Sequence, residues 1–499
     1  RTVSRGLGDV YKRQDILTIK LNSNDNVATA FNNIAKGEIT QNIKAENDIP
    51  KGHKIALKKI LKGEKIIKYD QIIGLARNDI NIGEHVHVEN TEFKSTEHDY
   101  EFSTSIRLPN FVPESQRPTF DGFKRPNGQV GTRNYIGILT SVNCSATAAR
   151  NIANAFDDNI LSQYPNVDGV VSFTHGTGCG MADSGDGFEA LQRVLLGYIQ
   201  HPNLAGVLLI GLGCEANQIK FLLDAYNLNE NPFFQTMTIQ EMGGLRKTIE
   251  EGIKRIHSML PEINQLERSP QSVEHLSLAL QCGGSDAWSG ITSNPALGHA
   301  ADLLVKNGGT AVLAETPEIY GAEHLLTRRA INKTVGDNLV DRILWWEDYV
   351  SRNKGSLNNN PSPGNKAGGL TTILEKSLGA AAKGGTTPLN DVLLYAEKAK
   401  SKGFLFMDSP GYDPASVTGQ IATGCNLVSF TTGRGSAFGS KPSPSIKIAT
   451  NTEMYEHMKE DMDVNAGKVV TNNESIETVG SEIFDLLVRV ASCLLYTSD

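Results

Sequence analysis

The sequence predicts an α/β protein in which mostly parallel sheets are covered by helices, preceded by a small β-rich domain. From Phe120 onward, short apolar runs alternate with amphipathic helical patterns, which is typical of a parallel sheet with crossover helices. Several of these runs end in glycine beside a cysteine or histidine, so those side chains follow the carboxyl ends of strands, where open sheets build sites. Residues 15–92 instead repeat a short unit of one apolar residue, two further residues and a glycine, which favours short strands joined by tight turns.

The periodic segments can be placed along the chain. Strands are expected near 136–142, 168–174, 205–211, 234–240, 275–281, 310–314, 403–407, 426–431 and 445–449. Helices are expected near 26–34, 145–157, 186–199, 216–227, 244–259, 295–307, 335–353 and 390–400, and a final helix presents one apolar face made of Ile476, Val479, Ile483, Leu486, Leu487 and Val490. Between these elements, 354–385 is rich in glycine and reads as a long loop.

A chain of 499 residues is expected to form two or three domains. The predicted organisation is a β-rich domain at 15–92, a proline-containing linker at 93–119, an α/β domain at 120–354 and a second α/β region with the glycine-rich loop at 355–492. Residues 1–14 and 493–499 lack periodicity and join abruptly to their neighbours, so both are predicted to be non-native tails.

Composition excludes several classes of protein. A formal net charge of -8 disfavours a nucleic-acid partner. No apolar run approaches the roughly 20 residues that span a bilayer, so no membrane partner is expected. Six cysteines in so long a chain do not form a disulfide scaffold, and without a signal-peptide pattern they favour the reducing cytoplasm.

Two sets of residues suggest a metal site in the α/β region. His175 and Cys179 flank glycines after a strand and could bind a metal or aim backbone N–H groups at an anion; the alternative is a glycine turn with a buried histidine. Cys144, Cys214 and Cys282 also follow strands, and could converge on an iron–sulfur cluster or a single soft metal, or serve as small buried apolar side chains.

A third set lies in the β-rich domain. His85 and His87 are two residues apart, so a strand places them on one face, and His53 could complete a three-histidine metal site; the alternative is a polar strand edge. The glycine turns at 283–286 and 431–436 suit a hydroxyl-rich acid whose carboxylate Arg434 could pair with. Neither a phosphate loop nor a strand-linked dinucleotide fingerprint is present, which disfavours a nucleotide-dependent oxidoreductase.

These motifs together resemble a known family. The residues that carry the resemblance are Gly52-His53-Lys54, Gly83-Glu84-His85-Val86-His87, Gly131-Thr132-Arg133-Asn134, Asn143-Cys144-Ser145, His175 to Gly180, Gly213-Cys214-Glu215, Gln281 to Asp286, Pro361 to Lys366 and Thr431 to Ser436. Over about residues 15–492 the chain resembles the altronate/galactarate dehydratase family, with the β-rich domain resembling its SAF-type, β-clip-like domain.

The resemblance implies a hydro-lyase that uses Fe²⁺ or Mn²⁺ in preference to an iron–sulfur cluster. It implies conversion of D-altronate to 2-dehydro-3-deoxy-D-gluconate and water in hexuronate catabolism, on a small sugar-acid substrate, and leaves a homo-oligomer open. A divalent ion that chelates the carboxylate and its neighbouring hydroxyl stabilises the charge that develops when a base removes the α-proton, and an acid then helps the C3 hydroxyl to leave. The alternatives are a galactarate dehydratase or sulfo-lyase of the same family, or a non-catalytic sugar-acid-binding protein.

The resemblance also implies roles for individual residues. The catalytic candidates are His175, Lys366, Glu215 and Asp286, and the substrate-binding candidates are Arg434, Thr432, Ser285, Asn365 and Arg133. The metal-binding candidates are His175, Cys179, Cys144, Cys214 and Cys282, with His53, His85 and His87 from the small domain.

Overall fold

The computed structural model describes residues 18–94 and 100–494, so the predicted tail at 1–14 and all but Cys493 and Leu494 of the tail at 493–499 lie outside the described residues. The chain forms two compact units. The small unit comprises residues 1–94 together with 361–375, and the large unit comprises 95–360 and 376–499. The mostly parallel sheets with helices and the preceding β-rich region confirm the predicted fold class.

The small unit consists of short antiparallel strands. They are β1 (Thr18–Ile19), β2 (Val27–Ala30), β3 (Ile39–Thr40), β4 (Ile43–Lys44), β5 (Lys54–Ala56), β6 (Lys65–Lys68), β7 (Gln71–Ala76), β8 (His85–Val86) and β9 (Thr91–Glu92). They pair in the orders β1-β2-β5-β8, β3-β4 and β6-β7-β9. The four repeated turn glycines have φ between +82° and +91°, which confirms that the repeat is a tight turn only glycine enters freely: Gly37, Gly52, Gly63 and Gly83. The helix expected at 26–34 is wrong, because all four residues of β2 are buried in a sheet where β-branched Val27 and Thr29 pack well.

The segment 361–375 of the small unit is not the loop that its glycines predicted. α9 (Pro363–Ala367) begins at a capping box in which Ser362 and Asn365 satisfy each other's backbone N–H groups. α10 (Ile373–Ala381) follows, and the boundary between the units falls within it. The expectation for 354–385 is therefore wrong, since local capping and the alanine- and leucine-rich run after Thr372 outweigh the glycine content.

The large unit contains one antiparallel and two parallel sheets. Their strands are β10 (Thr119–Lys124), β11 (Val130–Gly131), β12 (Tyr135–Thr140), β13 (Gly169–Phe173), β14 (Leu204–Gly211), β15 (Phe234–Thr238), β16 (Ser269–Ser272), β17 (Ser277–Cys282), β18 (Thr310–Leu313), β19 (Leu389–Leu393), β20 (Gly403–Met407), β21 (Leu427–Thr432), β22 (Ser445–Ala449) and β23 (Val464–Asn465). The parallel sheets have the orders β13-β12-β14-β15 and β19-β20-β18-β17-β21-β22-β23, and the antiparallel sheet is β11-β10-β16.

Helices cover these sheets. They are α1 (Ala146–Ala153), α2 (Asp158–Leu161), α3 (Asp186–Ile199), α4 (Ile219–Tyr226), α5 (Leu245–Ile263), α6 (Ser293–Lys306), α7 (His324–Thr327), α8 (Lys333–Arg352), α11 (Asp413–Thr423), α12 (Thr452–His457), α13 (Lys468–Thr471) and α14 (Ile476–Ala491). The predicted apolar face of α14 is confirmed, as Val479, Ile483 and Val490 are buried in it. No helix among the described residues is long and apolar enough to cross a bilayer.

One expected helix of the large unit is a strand instead. Residues 390–400 contain alanine, leucine, lysine and glutamate, which favour a helix, but Leu389–Leu393 pairs in parallel with β20 and Ala396 has φ of 59°. The expectation is wrong because pairing at a buried sheet outweighs local propensity.

Candidate functional site

Three histidines meet in the small unit. His53 precedes β5, His85 opens β8 and His87 follows β8, and β5 and β8 are neighbours in one sheet. Nδ1 of His53 lies 3.0 Å from Nε2 of His85, and one ring nitrogen from each histidine lies within 4.8 Å of the others. Two nitrogens bound in cis positions about 2.1 Å from one ion would be about 3.0 Å apart, so the spacing suits a first-row divalent metal.

The electrostatic environment keeps these imidazoles neutral. Burial, and then the charge of neighbouring histidines and Lys54, lowers the pKa of His85 to about 4 and the pKa of His87 to about 3. Burial also lowers the pKa of His53. Nδ1 of His87 is buried without a hydrogen-bond partner among the described residues. A metal requires neutral imidazole, and a bound ion would satisfy this orphaned nitrogen, so the set fits a divalent metal ion.

A buried ion triad lies beside His53 in the small unit. Nζ of Lys54 and Nζ of Lys68 each lie 2.9 Å from a carboxylate oxygen of Glu375, and all three side chains are at most 2% exposed. Lys54 also donates to the carbonyl of Gly369 at 2.7 Å. The triad therefore joins two strands to the 361–375 segment, whose Ala367 carbonyl lies 3.3 Å from Nε2 of His53.

A second potential metal or acid–base set is buried in the large unit. Cys282 ends β17, while Glu315 and Glu318 follow the neighbouring strand β18, and their ligand atoms lie within 4.8 Å of one another. Nζ of Lys383 donates to Sγ of Cys282 at 2.9 Å, and Nζ of Lys376 donates to Glu318 at 2.7 Å. These side chains meet at the carboxyl ends of parallel strands, where the fold class predicts a site.

Glu315 is the least satisfied member of this set. Both of its carboxylate oxygens are buried without a hydrogen-bond partner among the described residues, and its nearest cation, Lys383, is 3.9 Å away. Its backbone has φ of 72° and ψ of 68°, a strained conformation for a residue with a side chain. Burial, and then the charge of Glu318, raises the pKa of Glu315 well above its ordinary value. The raised pKa favours the protonated form of Glu315, which is the form that can donate a proton.

The other ionisable side chains of this set are Glu318, Cys282, Lys376 and Lys383. Burial opposes ionisation of Glu318, but Lys376 and Lys383 outweigh it and lower its pKa. Burial raises the pKa of Cys282 to about 11, so its thiol is protonated. Both lysines keep raised pKa values, because their anionic neighbours outweigh the burial that would lower them. The two lysines thus lie among the carboxyl groups of Glu315, Glu318 and Asp413.

Sequence reasoning missed Glu315, Glu318, Lys376 and Lys383. A signal was present for Glu315, because it directly follows the predicted strand 310–314 in the same way that Cys282 follows its own strand. No comparable signal marked the lysines, which lie on a helix and a short 3₁₀ helix and approach Cys282 and Glu318 only through the tertiary fold.

The remaining predicted cysteines lie on the four-stranded sheet. Cys144 follows β12, Cys179 follows β13 and Cys214 follows β14, and these strands are neighbours. All three thiols are exposed, whereas Cys282 is buried at the seven-stranded sheet. The structure thus groups Cys144 and Cys214 with Cys179 and places Cys282 in a different set.

His175 and Glu215 hold these loops. Nε2 of His175 lies 2.8 Å from the Thr140 carbonyl, and Nδ1 accepts from the N–H of Thr177 at 3.3 Å. Glu215 accepts from the Ser141 hydroxyl at 2.7 Å and from the N–H of Gly213 at 2.6 Å. These contacts give both side chains a positioning role, and their assignment to catalysis or metal binding stays a prediction.

Four of the predicted residues lie in two turns of the large unit that contact each other. Asp286 accepts from the N–H of Ser289 at 3.0 Å and from the Thr450 hydroxyl at 3.0 Å, and burial raises its pKa. Ser285 and Thr432 are buried and Arg434 is exposed, and the backbone N–H groups at 433 and 434 both donate to the carbonyl of Gly284. The turns at 283–286 and 431–436 are therefore brought together, and substrate binding by them stays a prediction.

The other predicted residues lie elsewhere. Arg133 precedes β12, at the opposite edge from the cysteines, and is buried with its guanidinium donating to the carbonyls of Thr132 and Val490. Lys366 and Asn365 are in α9 of the small unit, where Asn365 forms the capping box and Lys366 is half-buried. Substrate binding or catalysis by these residues stays a prediction.

Comparison with known proteins assigns three successive segments of the chain to domains of one family. Family models match in succession: the altronate/galactarate dehydratase SAF domain at 16–94, the D-galactarate dehydratase/altronate hydrolase second domain at 122–264, and the D-galactarate/altronate dehydratase C-terminal domain at 273–498.

Curated relatives carry the same relationship. The chain is 38% identical to an altronate dehydratase of Bacillus subtilis over 485 residues, covering 95% of both chains. It is 35% identical to a galactarate dehydratase (L-threo-forming) of Escherichia coli, covering 97% of this chain and 95% of the relative. It is 31% identical to a (2R)-sulfolactate sulfo-lyase subunit beta of Chromohalobacter salexigens, covering 75% of this chain and 92% of the relative. The chain thus belongs to the altronate/galactarate dehydratase family and is an enzyme of the hydro-lyase type.

Proposed function

We propose that this protein dehydrates D-altronate to 2-dehydro-3-deoxy-D-gluconate with the help of a divalent iron or manganese ion held by His53, His85 and His87. The observation that carries the proposal is the set of three neutral imidazoles at metal-ligand spacing, one of them with a buried orphaned nitrogen. The substrate is supported by similarity to an altronate dehydratase over nearly the full length of both chains.

The reaction needs three functions from the protein. When bound, the divalent ion supplies a Lewis acid for the negative charge that develops on the substrate carboxylate as the α-proton leaves. The three histidines would hold that ion. They lie on or next to β5 and β8, which pair in one sheet, and this pairing fixes the orientations of their rings. A base removes the α-proton, for which His175 and Lys366 stay the candidates from the sequence.

The large unit carries a candidate proton donor of its own. Glu315 is proposed as this donor, because burial and the charge of Glu318 raise the pKa of its carboxyl and neither of its oxygens has a hydrogen-bond partner among the described residues. Lys376 and Lys383 lie beside Glu318 and Glu315 in the same buried set and are proposed to hold an anionic group in the large unit.

The test is keto-acid release from a panel of sugar acids by anaerobically prepared, Mn²⁺-supplied protein. D-altronate is expected to give the highest kcat/KM. His87→Ala is expected to lower turnover at least about 100-fold, because a lost ligand removes several kcal/mol of charge stabilisation. His257→Ala, which alters an exposed histidine of α5 outside these sets, serves as the matched control. Turnover of His87→Ala within tenfold of the parent would overturn the metal assignment.

Galactarate is the second candidate substrate, because one relative of equal coverage is a galactarate dehydratase. The same panel separates the two: preference for galactarate over D-altronate by tenfold or more would replace the substrate and leave the dehydration chemistry in place.

A further inference from the structure

Three neighbouring strands of the four-stranded parallel sheet each lead into a loop that carries a cysteine. β13, β12 and β14 are adjacent in that order, and Cys179, Cys144 and Cys214 follow their respective carboxyl ends. Because parallel strands end at one edge, the three thiols belong to one face of the large unit. All three are exposed, so the face is accessible in the unit that carries it.

Hydrogen bonds between the loops hold the cysteines in register. The N–H of Asn143 donates to the carbonyl of Thr177 at 2.8 Å, which joins the loops of Cys144 and Cys179. The N–H of Asn217 donates to the carbonyl of Gly178 at 3.1 Å, and its side-chain amide donates to the carbonyl of Ser141 at 3.0 Å. The loop of Cys214 is thereby tied to both of the others.

The approach of these loops is close enough to require glycine. Gly178 has φ of +95°, and a Cβ built on it would lie 2.3 Å from the Ser141 carbonyl oxygen. The backbone next to Cys179 is thus pressed against the backbone that leads to Cys144. Such a contact fixes the position of a loop that otherwise consists of glycine and small polar residues.

The three thiols influence one another. The pKa of the Cys144 thiol is raised by partial desolvation and then by its neighbours Cys179, Cys214 and Glu215. The thiol of Cys144 therefore lies close enough to the other two thiols to sense their charge.

The spacing and the surroundings distinguish among metal centres. Tetrahedral ligation of one ion by thiolates about 2.3 Å away would bring the sulfurs to about 3.8 Å from one another. Among the described residues, the groups whose ligand atoms all lie within 4.8 Å are the histidine set and the Cys282 set, and the three loop cysteines are not one of them. A wider spacing suits an iron–sulfur cluster, in which each thiolate binds a different iron.

The nearest candidates for a fourth protein ligand, His175 and Glu215, do not supply one. Both ring nitrogens of His175 and both carboxylate oxygens of Glu215 have partners within the loops. Structural zinc sites are closed by four protein ligands, which this arrangement does not offer.

We propose that Cys144, Cys179 and Cys214 bind a [4Fe–4S] cluster through three of its irons, leaving the fourth iron open to a small oxygen ligand such as a carboxylate or water. The three cysteines belong to the large unit and share no residue with the three-histidine set, and the inference does not depend on the proposed substrate. The cluster is supplied preassembled with external thiolates on its irons: each cysteine thiol displaces one of them, so one iron–sulfur bond breaks for each one that forms, the proton leaves on the displaced thiol, and no oxidation state changes.

The test measures the cluster rather than turnover. Full-length protein is purified anaerobically, treated with the preassembled cluster under reducing conditions, desalted, and analysed for iron, acid-labile sulfide, visible absorbance and electron paramagnetic resonance. About four irons and four sulfides per chain are expected, beyond any iron removed by a mild chelator from the histidine site. Cys144→Ser, Cys179→Ser and Cys214→Ser are each expected to lose most of the absorbance and sulfide.

Two controls keep the result interpretable. Cys425→Ala changes a buried cysteine of the seven-stranded sheet region and is expected to keep the cluster. Alkylation of the parent protein followed by peptide mass spectrometry is expected to show Cys144, Cys179 and Cys214 protected after reconstitution and modified before it, which tests the site without any substitution that could impair folding.

The outcomes separate this inference from the proposed function. Stoichiometric zinc without sulfide, or sulfide retained in all three serine variants, would overturn the cluster. A protein that dehydrates D-altronate without holding sulfide would overturn the cluster and leave the proposed function standing. A cluster-loaded protein that is inactive on every sugar acid would support the cluster and overturn the proposed function.

Discussion

The buried ion triad of the small unit gives the sharpest prediction about stability. Glu375 is the carboxylate partner of both Lys54 and Lys68, at 2.9 Å from each, and no side chain of the three is more than 2% exposed. At an effective dielectric constant of 20, each pair attracts by about 6 kcal/mol, and this attraction offsets a desolvation cost of several kcal/mol per ion. Glu375→Gln keeps the shape of the side chain and removes the charge, so it leaves two buried ammonium groups facing each other.

Removal of one partner from a buried ion pair costs about 3–5 kcal/mol, and we expect at least this loss here because two cations are uncompensated. The assay is hydrogen exchange of peptides from 18–94 and 361–375, which reports on the opening of the small unit rather than of the whole chain. Faster exchange by about 100-fold or more is expected in those peptides. A change of less than about fivefold would refute the reasoning.

A compensating variant tests the cause. Replacing all three charged groups together, by Lys54→Met, Lys68→Met and Glu375→Leu, removes the desolvation cost along with the attraction, and is expected to restore much of the protection. The pH dependence has a definite sign. The lysines outweigh burial and lower the pKa of Glu375, so its stabilising effect is present above the ordinary carboxyl pKa and is lost as the pH falls below it.

The other predictions concern the candidate sites. The pKa values of His85 and His87 are lowered in the folded protein, so the unfolded chain binds more protons than the folded chain below pH 6.5. The small unit is therefore expected to lose stability as the pH falls from 6.5 to about 4, which hydrogen exchange measures. His87→Ala should weaken this pH dependence. Burial and the charge of Glu318 raise the pKa of Glu315, so Glu315→Gln, which keeps the shape of the side chain and removes its transferable proton, should leave thermal unfolding close to the parent while kcat falls about 10²–10⁴-fold; an unchanged kcat would exclude proton donation. Gly178→Ala should cost about 1–3 kcal/mol in chemical denaturation and reduce sulfide content, because the new Cβ meets the Ser141 carbonyl; a parent-like protein would contradict the close approach. His175→Ala should abolish turnover, and sulfide content shows why: loss of both indicates a positioning role, while loss of turnover alone supports catalysis.

Much of the fold follows from local pattern. The buried strands of the large unit are continuous apolar runs, and their helices show the 3.6-residue period, so β14 and α14 were placed nearly to the residue. Local pattern misled where a competing interaction was stronger. Residues 390–400 have helix-forming side chains, but the backbone at Leu389–Leu393 completes the edge of a sheet whose pairing partner, β20, lies farther along the chain.

One of the candidate sites could be predicted from local pattern and the others could not. The pairing of His85 with His87 was visible because a strand puts alternate residues on one face, and the contribution of His53 followed from its neighbouring turn. The grouping of cysteines was not visible, because spacing along the chain does not reveal which strands are neighbours. Only the strand order placed Cys179 with Cys144 and Cys214, and Cys282 with Glu315.

The amino-acid sequence by itself determined the α/β class, the β-rich start, the family and the residue types that chemistry requires, because these depend on periodicity, turns and local motifs. Only the tertiary structure decided which ionisable groups are buried together. Lys383 reaches Cys282, and the pKa of Glu315 is raised, because burial and neighbouring charge are properties of three-dimensional packing that no local segment contains.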